Sequence, residues 1–167
     1  MESPNNIALV TGGSLGIGRA TVLALACEGA DVAFTYLDYR KDPSEVSDLV
    51  DVVQKMGRRC LAIESDVSKY DEAFSVVGKV HEVLGQLNIL VNNAGITRDG
   101  VVWKMEEEEW DDVIDTNLKG CFNYIRAVSP MFREQKAGKI VNISSINGMR
   151  GKFGQANYAA SKAGIIG

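Results

Sequence analysis

At 167 residues, 46% of them apolar, the sequence is long enough for one domain with its own hydrophobic core. A formal net charge of −4 argues against a general nucleic-acid footprint, because such domains are usually basic. No apolar run is long enough to cross a bilayer, and the short polar start, Met1 to Asn6, leads directly into a strand rather than reading as a signal peptide.

Ile7–Val10 is an apolar run that stops at Thr11-Gly12-Gly13, which predicts a buried strand entering a tight turn. From Ile17 to Glu28 the spacing predicts a helix with Ile17, Ala20, Thr21, Ala24 and Cys27 inward and Gly29 as its C-cap. Asp31–Tyr36 is the second strand. After the loop Lys41-Asp42-Pro43, Ser44 caps a helix with Val46, Leu49, Val50 and Val53 inward, closed by Gly57. Cys60–Glu64 is the third strand, Tyr70–Leu84 the next helix with Gly85 as its stop, and Leu87–Val91 the fourth strand. Glu106–Glu109 open a long helix, where the dipole favours negative charge. Trp110, Val113, Ile114 and Asn117 follow at helical spacing, and the helix runs toward Phe132 with Pro130 near its end. Lys139–Ile143 is the fifth strand, and Ala156 onward is helical. This alternation predicts an α/β fold: a Rossmann-type, doubly wound parallel sheet in a single domain, with right-handed crossovers.

Cys27, Cys60 and Cys121 form no CxxC pair and read as small buried hydrophobes in a reducing compartment, so a cytoplasmic location is expected. The single histidine, His81, lies in a polar helical stretch and reads as a surface residue. With it alone and no paired cysteine, a metal site has little to build on.

The turn Thr11-Gly12-Gly13-Ser14-Leu15-Gly16-Ile17-Gly18 joins the first strand to the first helix. Glycine there lets backbone approach a pyrophosphate, and the helix N-terminus offers free N–H donors. A plain tight turn, with Gly18 packing helix on strand, is the alternative. The spacing is Gly-x3-Gly-x-Gly rather than the usual Gly-x-Gly-x-x-Gly.

That spacing, preceded by Thr11, resembles the short-chain dehydrogenase/reductase family. Asn92-Asn93-Ala94-Gly95 after the fourth strand, Asn117 in mid-helix, and Ser145 followed by Tyr158-Ala159-Ala160-Ser161-Lys162 are further matches in the family's order. The resemblance covers essentially the whole chain. It implies an NAD(P)-binding Rossmann domain over residues 1–167. Cofactor contacts are implied for Gly12, Ser14, Leu15, Gly16, Ile17 and Gly18 in the turn, for Tyr36, for Asp66 and Val67, for Asn93, Ala94 and Gly95, and for Tyr158 and Lys162. Asp66 reads equally as a helix cap, and Asn93 to Gly95 as stabilisers of the central strand.

On a helix, positions i and i+4 share a face, so the Lys162 ammonium lies near the Tyr158 phenol. A free tyrosine has a pKa of about 10, and a nearby cation favours the phenolate, as a general acid/base near neutral pH requires. From spacing alone, an ordinary surface pair reads the same way. The resemblance implies more: Tyr158 gives its proton to a carbonyl oxygen as hydride arrives, and Lys162 lowers the pKa of Tyr158 and bonds the nicotinamide ribose. It also implies that Ser145 orients the substrate oxygen and that Asn117 holds a proton-relaying water. Ser144 is adjacent and reads as a strand-end residue satisfying local backbone.

An acid at the end of the second strand would favour NAD. Tyr36 and Leu37 stand there, Asp38 comes late, and Arg40 and Lys41 are placed to meet a 2′-phosphate, although Leu15 replaces the basic residue of the family's turn. The expectation is NADP, with NAD possible. The stretches Asn92 to Asp99 and Gly154 to Tyr158 resemble the 3-oxoacyl-[acyl-carrier-protein] and acetoacetyl-CoA reductases, which implies reduction of a 3-oxoacyl thioester. Arg133, Lys136 and Lys139, joined by Arg150 and Lys152, are expected near the edge of the site, facing an acidic acyl carrier protein or CoA phosphates; an ordinary charged helix end is the alternative. A dehydrogenase of other secondary alcohols and a non-catalytic cofactor-binding module remain open. Family members continue beyond the point matching Gly167. The expectation is therefore a piece of a longer fold, a poor catalyst alone, that associates as a dimer or tetramer through the long helix and the Tyr158 helix.

Overall fold

The computed structural model describes residues 6–37 and 44–167. Five parallel strands, β1 (Ile7–Val10), β2 (Asp31–Tyr36), β3 (Cys60–Glu64), β4 (Ile89–Asn92) and β5 (Lys139–Asn142), form one sheet in the order β3-β2-β1-β4-β5. The helices are α1 (Gly16–Cys27), α2 (Ser44–Lys55), α3 (Tyr70–Val83), α4 (Glu107–Ile114), α5 (Gly120–Gln135), α6 (Asn147–Arg150) and α7 (Ala156–Ile166). None among the described residues is long and apolar enough to cross a membrane.

β1 is apolar at every position and β2 at all but Asp31 and Thr35, because both faces of the central strands are covered. Leu9, Ala33 and Leu90 face one core with Val76, Val80, Tyr124 and Val128 of α3 and α5. Val10, Val32, Phe34 and Val91 face the other with Val22, Ala26, Leu49 and Val53 of α1 and α2. Strand order reverses between β1 and β4, and such a switch point leaves a crevice at the carboxyl ends of the strands.

Several features differ from the sequence reading, among them β4, which begins at Ile89 rather than Leu87 and ends at Asn92 rather than Val91. The inward face of α1 is Gly18, Val22 and Ala26, while Ile17, Ala20, Ala24 and Cys27 are exposed. This helix is apolar nearly all round, so periodicity does not select a face; the docking of Gly18 beneath the turn does. Cys27 is consequently exposed, whereas Cys121 is buried and Cys60 half-buried. The long helix is interrupted by a π-helical turn at Asp115–Lys119, between α4 and α5, and it continues past Pro130 to Gln135. Pro130 sits on the exposed side.

Candidate active site

A cleft of about 380 Å³ lies at the carboxyl ends of β1 to β4. Its floor is the glycine turn. Gly12 (φ 62°) and Gly16 (φ 53°) take left-handed backbone that suits glycine. A Cβ on Gly12 would also come within 2.9 Å of the Ala94 Cα. Thr11 Oγ1 accepts the N–H groups of Asn93 (3.0 Å) and Ala94 (3.1 Å). Asn93 Nδ2 donates back to the carbonyls of Thr11 (3.0 Å) and Gly12 (2.9 Å). From the other side, Thr35 Oγ1 accepts the Gly12 N–H at 3.1 Å and the Thr35 carbonyl accepts the Gly13 N–H at 2.8 Å. The loop is thus tied to β2 and to the end of β4. The start of α1, at Leu15, has no side-chain cap, and Gly16 and Ile17 line the cleft.

Gly95 links the cleft to the polar side chains behind it. A Cβ there would stand 3.0 Å from Asn117 Oδ1 and 3.6 Å from Lys162 Nζ, so this wall lies directly against both. Lys162 is 4% exposed. Its ammonium donates to the Ile143 carbonyl at 2.7 Å and stands 5.7 Å from the centroid of the Tyr158 ring. Burial pushes the Lys162 pKa down, opposed by the nearby Cys121. The π-helical turn brings Asn117 inward. Its Oδ1 accepts the Ile96 N–H at 2.8 Å, and its Nδ2 donates to the Ile96 carbonyl (3.0 Å) and to Ser161 Oγ (3.1 Å).

Both serines follow β5. Ser144 Oγ donates to the Lys162 carbonyl at 2.8 Å, so instead of satisfying local backbone, as the sequence suggested, it ties the end of β5 to α7. Ser145 Oγ accepts the Asn147 N–H at 3.2 Å, which leaves its own hydroxyl hydrogen for another partner. Chemically, the arrangement offers a buried ammonium behind the Gly95 wall of the cleft, with a phenol ring 5.7 Å from it, and a serine hydroxyl after β5.

A family profile described as short chain dehydrogenase matches residues 6–167. The chain belongs to the short-chain dehydrogenase family. It is 48% identical over 163 residues to the 3-oxoacyl-[acyl-carrier-protein] reductase FabG of Staphylococcus epidermidis, a match covering 98% of this chain and 66% of that protein. The FabG of Thermotoga maritima is 43% identical over 167 residues, covering 100% of this chain and 66% of the relative. A solved short chain dehydrogenase from Mycobacterium avium superposes with a TM-score of 0.91 at 38% identity, covering 96% of this chain and 59% of that one. The chain thus spans less than two thirds of the length of these relatives.

In this short-chain dehydrogenase chain, Gly12, Ser14, Leu15, Gly16, Ile17, Tyr36, Asp66, Val67, Asn93, Ala94 and Gly95 all line the cleft. Gly18 does not. It is buried behind the turn, where a Cβ would be 2.1 Å from the Gly12 carbonyl oxygen, so packing accounts for it. Asp66 is not the cap of α3, whose N-cap is Lys69; its Oδ1 accepts the Ser68 N–H at 2.9 Å in the bend ahead of the helix. Asn117, expected to hold a water, has its carboxamide bonded to three protein atoms instead. Arg40, with Asp38 and Lys41, lies outside the described residues. The basic cluster is displaced from its expected position. Lys139 opens β5, and Arg133 and Lys136 end α5, at the amino edge of the sheet. Ser145 follows the carboxyl edge, because a parallel strand puts its two ends on opposite sides of the sheet. Arg150, at the end of α6, and Lys152 follow Ser145 in the chain and are exposed. Leu37, read above for its lack of a carboxylate, also lines the cleft, as do Thr35, Ser65, Ile96 and Thr116, which carried no expectation from the sequence. Most sit at or just after strand ends, so the crevice rule was the one available signal.

Proposed function

We propose that this chain is the cofactor-binding and catalytic part of an NADP-dependent oxidoreductase that reduces a 3-oxoacyl thioester to the 3-hydroxyacyl form. The observation that carries this reading is Lys162: buried, fixed by the Ile143 carbonyl, 5.7 Å from the Tyr158 ring and against the Gly95 wall of the cleft. Relatives named 3-oxoacyl-[acyl-carrier-protein] reductase, including one from Synechocystis at 42% identity over 161 residues (96% of this chain and 64% of that protein), support the substrate class.

The cleft suits a dinucleotide. Its turn exposes backbone at Gly12 and Gly16, the uncapped start of α1 adjoins it, and Asp66 is the one charged side chain among its described lining residues. A nicotinamide cofactor held there would supply hydride chemistry. The backbone from Gly12 to Ile17 would hold its phosphates, and Asp66 and Val67 would hold its adenine end. Ser145 donates its free hydroxyl hydrogen to the substrate oxygen. Tyr158 delivers a proton to that oxygen, and the Lys162 cation stabilises the negative charge left on the phenol. Asn117 keeps the Gly95–Ile96 wall in place. Tyr36 and Leu37 put no carboxylate at the end of β2, and Arg40 and Lys41 follow in sequence; both support NADP over NAD. Arg150 and Lys152 meet the phosphates of the carrier or of CoA. The setting is cytoplasmic, and copies associate through α5 and α7.

The test is a substrate panel on the full protein, followed by NADPH absorbance, with acetoacetyl-CoA, a 3-oxoacyl carrier thioester, simple ketones and NADH in parallel. A thioester preference is expected, and equal or better kcat/KM on simple ketones overturns the substrate class. Tyr158→Phe lowers kcat by about 100-fold or more while cofactor Kd holds. A variant that keeps turnover removes Tyr158 from the chemistry.

A further inference from the structure

The two stretches that point to thioester reductases, Asn92 to Asp99 and Gly154 to Tyr158, meet in space. Gly100 N–H donates to the Gly154 carbonyl at 2.8 Å, and Asn157 Nδ2 donates to the Arg98 carbonyl at 2.9 Å. Between them lies Gln155, 6% exposed and outside the described lining of the cofactor cleft. Its Nε2 donates to Asp99 Oδ2 at 2.8 Å, and its Oε1 accepts from Asn147 Nδ2 at 2.8 Å. Asn147 opens α6, and its backbone N–H is the donor to Ser145 Oγ. The same short helix packs on the Lys162 backbone, where a Cβ on Gly148 would come within 2.6 Å of the Lys162 carbonyl carbon.

We infer that Gln155 is a positioning residue for Ser145: its carboxamide couples Asp99 to Asn147 and so holds the segment that orients the serine hydroxyl. This rests on the proposed reaction only in assigning Ser145 a substrate contact. The position demands a group that donates at one end and accepts at the other, which an amide does and a carboxylate does not. Asp99 is acceptor-only when ionised, and Asn147 Nδ2 is donor-only. A misplaced hydroxyl lowers kcat, since small displacements of a reacting group cost up to about 100-fold.

The experiment reverses the polarity of the bond. Gln155→Glu sets two carboxylates against each other. Asp99→Asn together with Gln155→Glu restores one donor and one acceptor between the same positions. With kcat read on the best carbonyl substrate of the panel, Gln155→Glu is expected to lose about 10- to 100-fold. The double variant recovers to within about threefold of wild type, and cofactor Kd is unchanged throughout. Amide hydrogen exchange over residues 146–151 rises in Gln155→Glu and returns in the double variant. No recovery of kcat and exchange in the double variant, or a parallel loss of cofactor affinity, overturns the assignment. If the wild type reduces no thioester while the pattern of loss and recovery holds on another carbonyl, the substrate reading fails and the role of Gln155 stands.

Discussion

Replacing Thr11 by valine tests how the glycine turn is held. Thr11 is 2% exposed, and its Oγ1 takes the N–H groups of Asn93 and Ala94 at 3.0 and 3.1 Å. Valine keeps the shape but accepts neither. An orphaned N–H costs about 1–3 kcal/mol. Both bonds are only part-buried, so the lower half of that range applies to each, giving about 2–4 kcal/mol in total. With a urea m-value of about 2 kcal/mol per M, the unfolding midpoint falls by about 1–2 M. Thr11→Ser keeps the oxygen and loses one methyl, so it stays within about 1 kcal/mol of wild type. Equilibrium urea unfolding of the three proteins reads the difference. The loop is also the floor of the cleft, so cofactor affinity, measured by titration, falls with valine and holds with serine. A valine variant as stable as the serine one refutes the argument, because the hydroxyl would then not join β1 to the end of β4.

Tyr124 makes the fold sensitive to alkali. It is fully buried, its hydroxyl 3.2 Å from Ser65 Oγ, and burial pushes its pKa up to about 12, with the Ser65 and Thr35 hydrogen bonds opposing. Because the folded phenol holds its proton longer than an unfolded one, its stabilisation is complete below pH about 10 and is lost as pH rises toward 12, by about 2–3 kcal/mol. Tyr124→Phe removes that decline, so the stability gap between variant and wild type shrinks between pH about 9 and 11 in urea titrations; a constant gap contradicts the assignment. Thiol labelling under native conditions at neutral pH modifies Cys27 first, because Cys27 is exposed while Cys121 is buried. Cys60 reacts slowly, its thiol pushed up to about 11 by burial. Peptide mapping after a short pulse reads the order, and equal labelling at Cys27 and Cys60 contradicts it.

The strand pattern was legible from residues alone. Asp31–Tyr36 and Cys60–Glu64 match the structure end to end, because strands of a covered parallel sheet read as near-continuous apolar runs between breakers. The glycine turn and its place before the first helix were equally legible, since φ values of 62° at Gly12 and 53° at Gly16 ask for glycine. What the tertiary structure alone decided concerns faces and meetings. An all-apolar α1 has no preferred side until Gly18 docks beneath the turn. The π-helical turn that swings Asn117 inward follows from packing of a continuous helix, and a mid-helix carboxamide is its only trace in composition. The basic residues Arg133, Lys136 and Lys139 are close in sequence to Ser145, yet a single parallel strand separates them from it. Tyr158 and Lys162 lie four positions apart in any helix. Only burial and the Ile143 carbonyl make that lysine a fixed, desolvated cation, because those partners come from a distant strand.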